Sequence, residues 1–293
     1  MRTETLPSAD MALPFETSRK EKPVLEIGPK RGLLQVDLAS IWRFRELLYF
    51  LIWRDVKVKY KQTVIGASWA IIQPILTMVI FTVVFGNFAK IPSDGFPYPI
   101  FAYTALLPWL YFAQGVNRTS VGLVGNAALV SKVYFPRLII PLATAVAPLI
   151  EFFLSFVVLM GLMAWYQVVP TWGIITLPFF LAIAFLTVLA VGLFLSALNV
   201  RYRDVSHSIP FVIQVWLYAS PVIYPLSLVP ENWRFLYSLN PMVGVIEGFR
   251  WALLGKESPD FVAIAISGGM VMTLLVLSVI FFNRMERSFA DIM

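Results

Sequence analysis

The sequence predicts an all-α membrane protein: six transmembrane helices, an N-terminal amphipathic interface helix, and re-entrant helices before the last span. Three observations carry this. Of 293 residues, 59% are hydrophobic and only 14% charged, and the mean hydropathy is +0.77. Soluble domains run about 45–50% apolar and about 25% charged. The apolar residues gather into runs near the roughly 20 residues a helix needs to cross hydrocarbon. The Lys and Arg residues between those runs then fall mostly on one side. Composition also sets exclusions. There is no Cys, which removes disulfides and thiolate metal sites, and His207 is the sole His, so no metal or cofactor is expected in this chain. The net charge of +6 records orientation in such a protein; no nucleic-acid motif accompanies it.

Taken in order, residues 1–36 are polar, carry Pro7, Pro14, Pro23 and Pro29, and contain no apolar signal core. They are expected as a cytoplasmic extension. Residues 37–62, beginning DLASIWRFRELLYFLIWRDVKVKYK, hold Arg43, Arg45, Arg54, Lys57, Lys59 and Lys61 among Trp42, Phe44, Leu48, Leu51 and Ile52. A helix of this kind lies in the headgroup plane, basic side outward. It is either an anchor on anionic lipid or a ledge that guides an anionic, lipid-linked substrate. The transmembrane domain, 63–293, places spans at 64–88, 99–116, 138–166, 173–200, 209–224 and 261–282. Residues 225–255 are aromatic and broken by Pro230 and Pro241, the pattern of helices that dip into the membrane where protein covers their backbone.

Six crossings put both termini on one side. On that side Lys and Arg number 12 before Thr63, 3 in residues 118–137, 2 at Arg201 and Arg203, and 2 after Asn283, 19 in all. The other side holds Lys90, Arg234, Arg250 and Lys256, only 4. The positive-inside rule therefore places both termini in the cytoplasm.

The cytoplasmic turn over 122–137 is unusual for its apolarity. Gly122 and Gly125 loosen the chain, NAALVSKVYFPR follows, and Pro136 ends it. Ala127, Ala128, Leu129, Val130 and Val133 make a short amphipathic helix with Lys132 beside them. Either it rests on the bilayer or another protein covers it. Within the spans, Glu151 stands 13 residues into the third run, about 20 Å along, hence deep in the bilayer. An intramembrane carboxylate is a functional candidate by default. It is a proton site, a hydroxyl acceptor in a channel, or a structural group bonded to a Ser or Tyr on a neighbouring helix. The structural role is favoured, since one carboxylate makes no relay. Glu247 and Arg250 are three apart on one face and satisfy each other, bracing the re-entrant segment. Asp204, flanked by Arg201 and Arg203, is expected to pair with them.

NAALVSKVYFPR resembles the coupling helix of the permease subunits of ABC type-2 exporters, specifically those that export O-antigen and related polysaccharides. So do KYKQTVIGASWAIIQP (59–74), RYRDVSHSIPFVIQVWLYASPVIYP (201–225) and SLNPMVGVIEGFRWALLG (238–255), in the same order along the chain. The resemblance implies a bacterial inner-membrane complex of two permeases and two separate ATPase subunits, which bring ATP and Mg. It implies a lipid-linked polysaccharide as cargo, and a turn, with Asn126, Leu129, Val130, Lys132, Val133 and Arg137, that docks into the ATPase. Teichoic-acid or small-molecule export is the alternative within the family. The chain itself has no G-x-x-x-x-G-K-[ST] phosphate loop, so energy must come from a partner or a gradient.

Six helices packed at about 8–10 Å fill their own middle, so a pore for a glycan has to form between two copies. Aromatic faces suit a sliding sugar chain. Phe101, Tyr103, Trp109, Tyr111, Phe112, Trp216, Tyr218 and Tyr224 are the expected channel residues, although Trp and Tyr also gather at any membrane interface. A membrane-embedded glycosyltransferase is the reading from another class. It would need paired carboxylates near a membrane face, and Asp204 is a lone acid. The chain is expected to be a non-catalytic permease.

Overall fold

The computed structural model describes residues 38–61, 68–255 and 260–292. The expected extension over 1–36, the first residues of the expected first span and Lys256 lie outside them. Among the described residues the chain is helical and contains no strand. In order the helices are α1 (Leu38–Arg43), α2 (Arg45–Lys61), α3 (Ser68–Phe81, running on as a wider π-type turn over Thr82–Phe88), α4 (Tyr98–Gly125), α5 (Ala127–Lys132), α6 (Ile139–Val146), α7 (Leu149–Trp165), α8 (Leu177–Arg201), α9 (Val205–Tyr218), α10 (Glu231–Ser238), α11 (Pro241–Leu254) and α12 (Phe261–Ile292).

Every apolar run of the sequence carries helix. Four stretches are long and apolar enough to cross a membrane: Ser68–Phe88, Ile139–Trp165, Trp172–Arg201 and Phe261–Glu286. The chain is therefore a membrane protein. The other two runs differ for separate reasons. Helix α4 has 28 residues but takes in Gln114, Asn117 and Arg118 at one end. Helix α9 has 14 residues, a rise of about 21 Å, short of the roughly 30 Å of hydrocarbon. The third run is bent. Helices α6 and α7 meet at residues 147–148, where Pro148 supplies no N–H to the helical ladder.

Helix α4 is the centre of the bundle, and its main neighbour is α8. Two glycines permit their close approach. A Cβ on Gly115 would stand 2.7 Å from a Val188 methyl, and one on Gly192 would stand 2.7 Å from Thr119. Small residues at a helix crossing let backbones pack tightly where lipid gives no hydrophobic drive. Helix α12 lies against α8 and α11. Helix α11 is buried nearly all round, as a helix enclosed by others must be apolar on every face. Its ends are well made: the Asn240 side chain accepts from the Met242 N–H at 3.0 Å, and Gly255 closes the other end at φ 69°, a conformation that suits Gly.

Burial divides the molecule into a main core and a second cluster at one end. The main core joins α4, α7, α8 and α11 around Tyr103, Phe112, Phe152 and Phe249. The second joins Leu51 of α2, Leu123 of α4, Phe135, Ile139 and Ile140, Val200 of α8, and Phe282 and Phe289 of α12. Helices α1 and α2 sit on this second cluster through Ile41, Phe44, Leu47, Leu48 and Ile52. Their outer side is mixed: Trp42, Tyr49, Phe50, Trp53 and Val58 are exposed beside exposed Arg43, Arg45, Lys57 and Lys61.

Candidate functional site

The turn between α4 and α6 is held from within. The Asn126 side chain donates to the Gly122 carbonyl at 2.8 Å, and its own carbonyl accepts from the N–H groups of Leu129 and Val130, which nucleates α5. Leu129 and Val130 turn half inward onto the second cluster. Lys132, Val133 and Tyr134 face outward. Arg137 behaves differently from the expectation for a docking residue: it donates to the Glu286 carbonyl, and its guanidinium lies 5.7 Å from the centroid of the Phe289 ring. It anchors the turn to α12. The exposed docking candidates are thus Lys132, Val133 and Tyr134, and Tyr134 was missed because it stands just past the helical repeat.

Glu151 stands in the first turn of α7, a favourable end of the helix for a carboxylate, and its side chain is 7% exposed. Its partners are cations, where hydroxyls were expected. Lys59 of α2 donates at 2.5 Å and Arg118 of α4 at 2.9 Å. Glu151 lies two residues into α7, and the contact with Lys59 sets its carboxylate beside α2. Burial pushes the Lys59 amine below its ordinary value; the hydrogen bond to Glu151 opposes this and the Arg118 charge adds to it. Beside the triad, Gln73, Gln114, Ser155 and Glu151 contribute to the wall of a crevice of about 10 Å³ between α3, α4 and α7, room for about one water. Of the other basic residues in α1 and α2, Arg54 is engaged with Asp55 at 2.8 Å, and Arg45 sits 5.6 Å from the Trp42 ring centroid.

At the far end of α9 a second polar group knits the chain. Asn240 accepts from Trp216 Nε1 at 3.0 Å and donates to the Ala219 carbonyl and Ser220 Oγ, both at 2.9 Å. Arg250 is buried; it donates to Glu247 at 3.2 Å, to the Tyr224 carbonyl at 3.3 Å and to the Val222 carbonyl at 3.0 Å. Its guanidinium stacks 3.7 Å from the centroid of Phe101. Tyr237 donates to the Tyr224 hydroxyl at 3.0 Å, which donates to the Tyr218 carbonyl at 2.9 Å.

The expected channel aromatics split into two groups. Phe101, Tyr103, Trp109, Tyr111 and Phe112 are buried in the main core, Tyr103 at 0% exposure, with hydroxyl bonds from Tyr103 to Ser155 and from Tyr111 to Ala145. These five side chains are packing residues of the main core. Trp216, Tyr218 and Tyr224 reach the surface or near it. Trp216 joins Trp233, Leu236, Tyr237 and Asn240 around an open cup of about 310 Å³. Trp233 and Tyr237 went unread; their signal is an i, i+4 pair on α10, inside a stretch too mixed to assign by periodicity. Asp204 rims an apolar cavity of about 240 Å³ between α4, α8 and α9, while Arg201 lies over the Tyr202 ring at 5.5 Å instead of pairing with it.

The chain belongs to the ABC-2 type transporter family, whose family model matches residues 46–254. It is 29% identical over 252 residues to the O-antigen export system permease protein RfbA of Myxococcus xanthus, covering 85% of this chain and 96% of that one. It is 26% identical to the protein of the same name from Klebsiella pneumoniae over 85% of this chain and 95% of that one. The polysialic acid transport protein KpsM of Escherichia coli is 21% identical over 69% of this chain and 78% of its own.

Proposed function

We propose that this chain is the transmembrane permease subunit of an ATP-driven exporter that carries a lipid-linked, O-antigen-like polysaccharide from the cytoplasm across the bacterial inner membrane. The observation that carries the reading is similarity to O-antigen export permeases along nearly their whole length. Two copies of the permease pair with two separate ATPase subunits, which hold ATP and Mg. The chain crosses six times, with the turn and both termini in the cytoplasm; α1 and α2 lie in the interface, and α10 and α11 re-enter from outside. The exposed Lys132, Val133 and Tyr134 supply the surface that meets the ATPase. The apolar outer faces of α3 (Trp69, Leu76, Val79, Ile80) and α9 (Phe211, Val212, Val215, Tyr218), all exposed, face lipid or the second copy. A pore between the copies brings the cup of Trp216, Trp233 and Tyr237 toward the emerging glycan, where aromatic faces stack on pyranose C–H faces without selecting one sugar. Deleting the gene tests this: surface glycan should vanish and lipid-linked glycan accumulate inside, and normal surface glycan would overturn the reading.

A further inference from the structure

The cavity of about 240 Å³ between α4, α8 and α9 has walls of one kind and a rim of another. Its walls include Val116 of α4, Val191 and Leu195 of α8, and Ile209 and Ile213 of α9. Val116 and Ile209 are 1% and 3% exposed, so the recess reaches the packed interior. Val212, 52% exposed, marks its mouth on the outer side of α9. Water finds no partners along such walls. Apolar cavities of about 150 Å³ stay dry and take apolar guests, which supply the dispersion contacts a void forfeits. Val191 stands nearly three helical turns before Arg201, about 15 Å along α8, so the apolar part runs well into the span Trp172–Arg201. The rim is polar. Asp204 and Ser208, at the start of α9, also line the recess. Asp204 is exposed; Arg201 turns to the Tyr202 ring at 5.5 Å, and Arg203 is exposed on the same connection. One end of the recess thus carries an anionic acceptor beside cationic donors, and the rest is apolar.

We propose that this recess holds one acyl chain of a membrane phospholipid whose headgroup bears a phosphate and a primary amine, phosphatidylethanolamine, with the ammonium on Asp204 and the phosphate toward Arg203. A hydrocarbon tail gains no hydrophobic energy on leaving the bilayer, so fit and headgroup charge select the guest. The ammonium gives Asp204 charge-assisted hydrogen bonds, and a guanidinium suits the phosphate. A neighbouring helix, about 10 Å across, covers the mouth of the recess, whereas a single chain follows it inward to Val116. The seated chain buttresses α9, whose neighbours are α4 and α8.

Native mass spectrometry of the permease, delipidated in a neutral detergent with a rigid steroid body, tests this. Phosphatidylethanolamine should give a saturable adduct of one lipid per chain. It should bind at least about tenfold tighter than phosphatidylglycerol, which has no amine, or phosphatidylcholine, whose ammonium has no N–H; that is the factor expected of one hydrogen bond to a charged group. Asp204→Asn, a change at an exposed position, should weaken the adduct about tenfold and erase the preference over both comparators. Val191→Phe and Leu195→Phe put rings into the recess and should abolish the adduct, so that added phosphatidylethanolamine no longer raises the thermal midpoint. If neither ring variant folds, Asp204→Asn decides alone. Equal binding of the three phospholipids, or wild-type affinity in Asp204→Asn or in a folded ring variant, overturns the proposal. Displacement of phosphatidylethanolamine by equimolar polyprenyl diphosphate also overturns it and gives the recess to the substrate's own tail. A dimer that takes up no phospholipid overturns it in favour of a second copy filling the recess. No ATPase or glycan takes part, so failure here leaves the exporter reading to be judged by surface glycan alone.

Discussion

Two ion-pair groups stand at opposite ends of this bundle, and they are built on opposite plans. At Arg250 one buried cation meets Glu247, two backbone carbonyls and the face of Phe101. At Glu151 one buried carboxylate meets two cations that stay partly open. The first group is enclosed within the chain; the second reaches the surface through its cations. A buried charge without adequate partners is costly, so a complete group reads as structure. Arg250 fastens the turn after α9 to α11, whereas Glu151 ties α2 and α4 to α7.

Breaking the complete group should cost most. Arg250→Met strands Glu247 and two carbonyls, and a loss of about 3–5 kcal/mol is expected, as for other broken buried pairs, read as a large fall in the thermal midpoint in detergent. Tyr103→Ala should follow at about 3 kcal/mol, the scale of an emptied aromatic site in a packed core. Its effect should appear in stability, where channel lining would have shown in glycan passage. Arg118→Gln should cost less, about 1–2 kcal/mol, because Lys59 still holds Glu151. Smallest in stability, within about 0.5 kcal/mol, should be Val133→Asp combined with Tyr134→Asp on the exposed turn. That pair should nonetheless abolish co-purification of the ATPase, and intact co-purification with normal export would remove the turn from the docking surface.

Several helices were legible because apolar run length is a local property. Helices α3, α8 and α12 fall on the predicted runs, and the Pro230 and Pro241 breaks bound α10 and α11. The bend at residues 147–148 was missed because Pro148 lies inside a run apolar on both sides. Helix α4 misled the channel reading: it is buried on nearly every face, so its aromatics carry no periodicity that separates core from surface. The partners of Glu151 lie 92 and 33 residues away in sequence. No spacing rule reaches that far, and only the fold brings Lys59 and Arg118 to one oxygen. Arg137 failed likewise, since its acceptor belongs to α12.

The side of the membrane on which the projecting turn lies decides whether an ATPase can drive this protein. The natural chain has no Cys, so Lys132→Cys creates a single reactive thiol on the exposed turn. Treated with a membrane-impermeant maleimide, it should react in inverted inner-membrane vesicles and stay unlabelled in spheroplasts. Labelling from the outer face of spheroplasts would contradict a cytoplasmic turn, and the coupling to ATP with it.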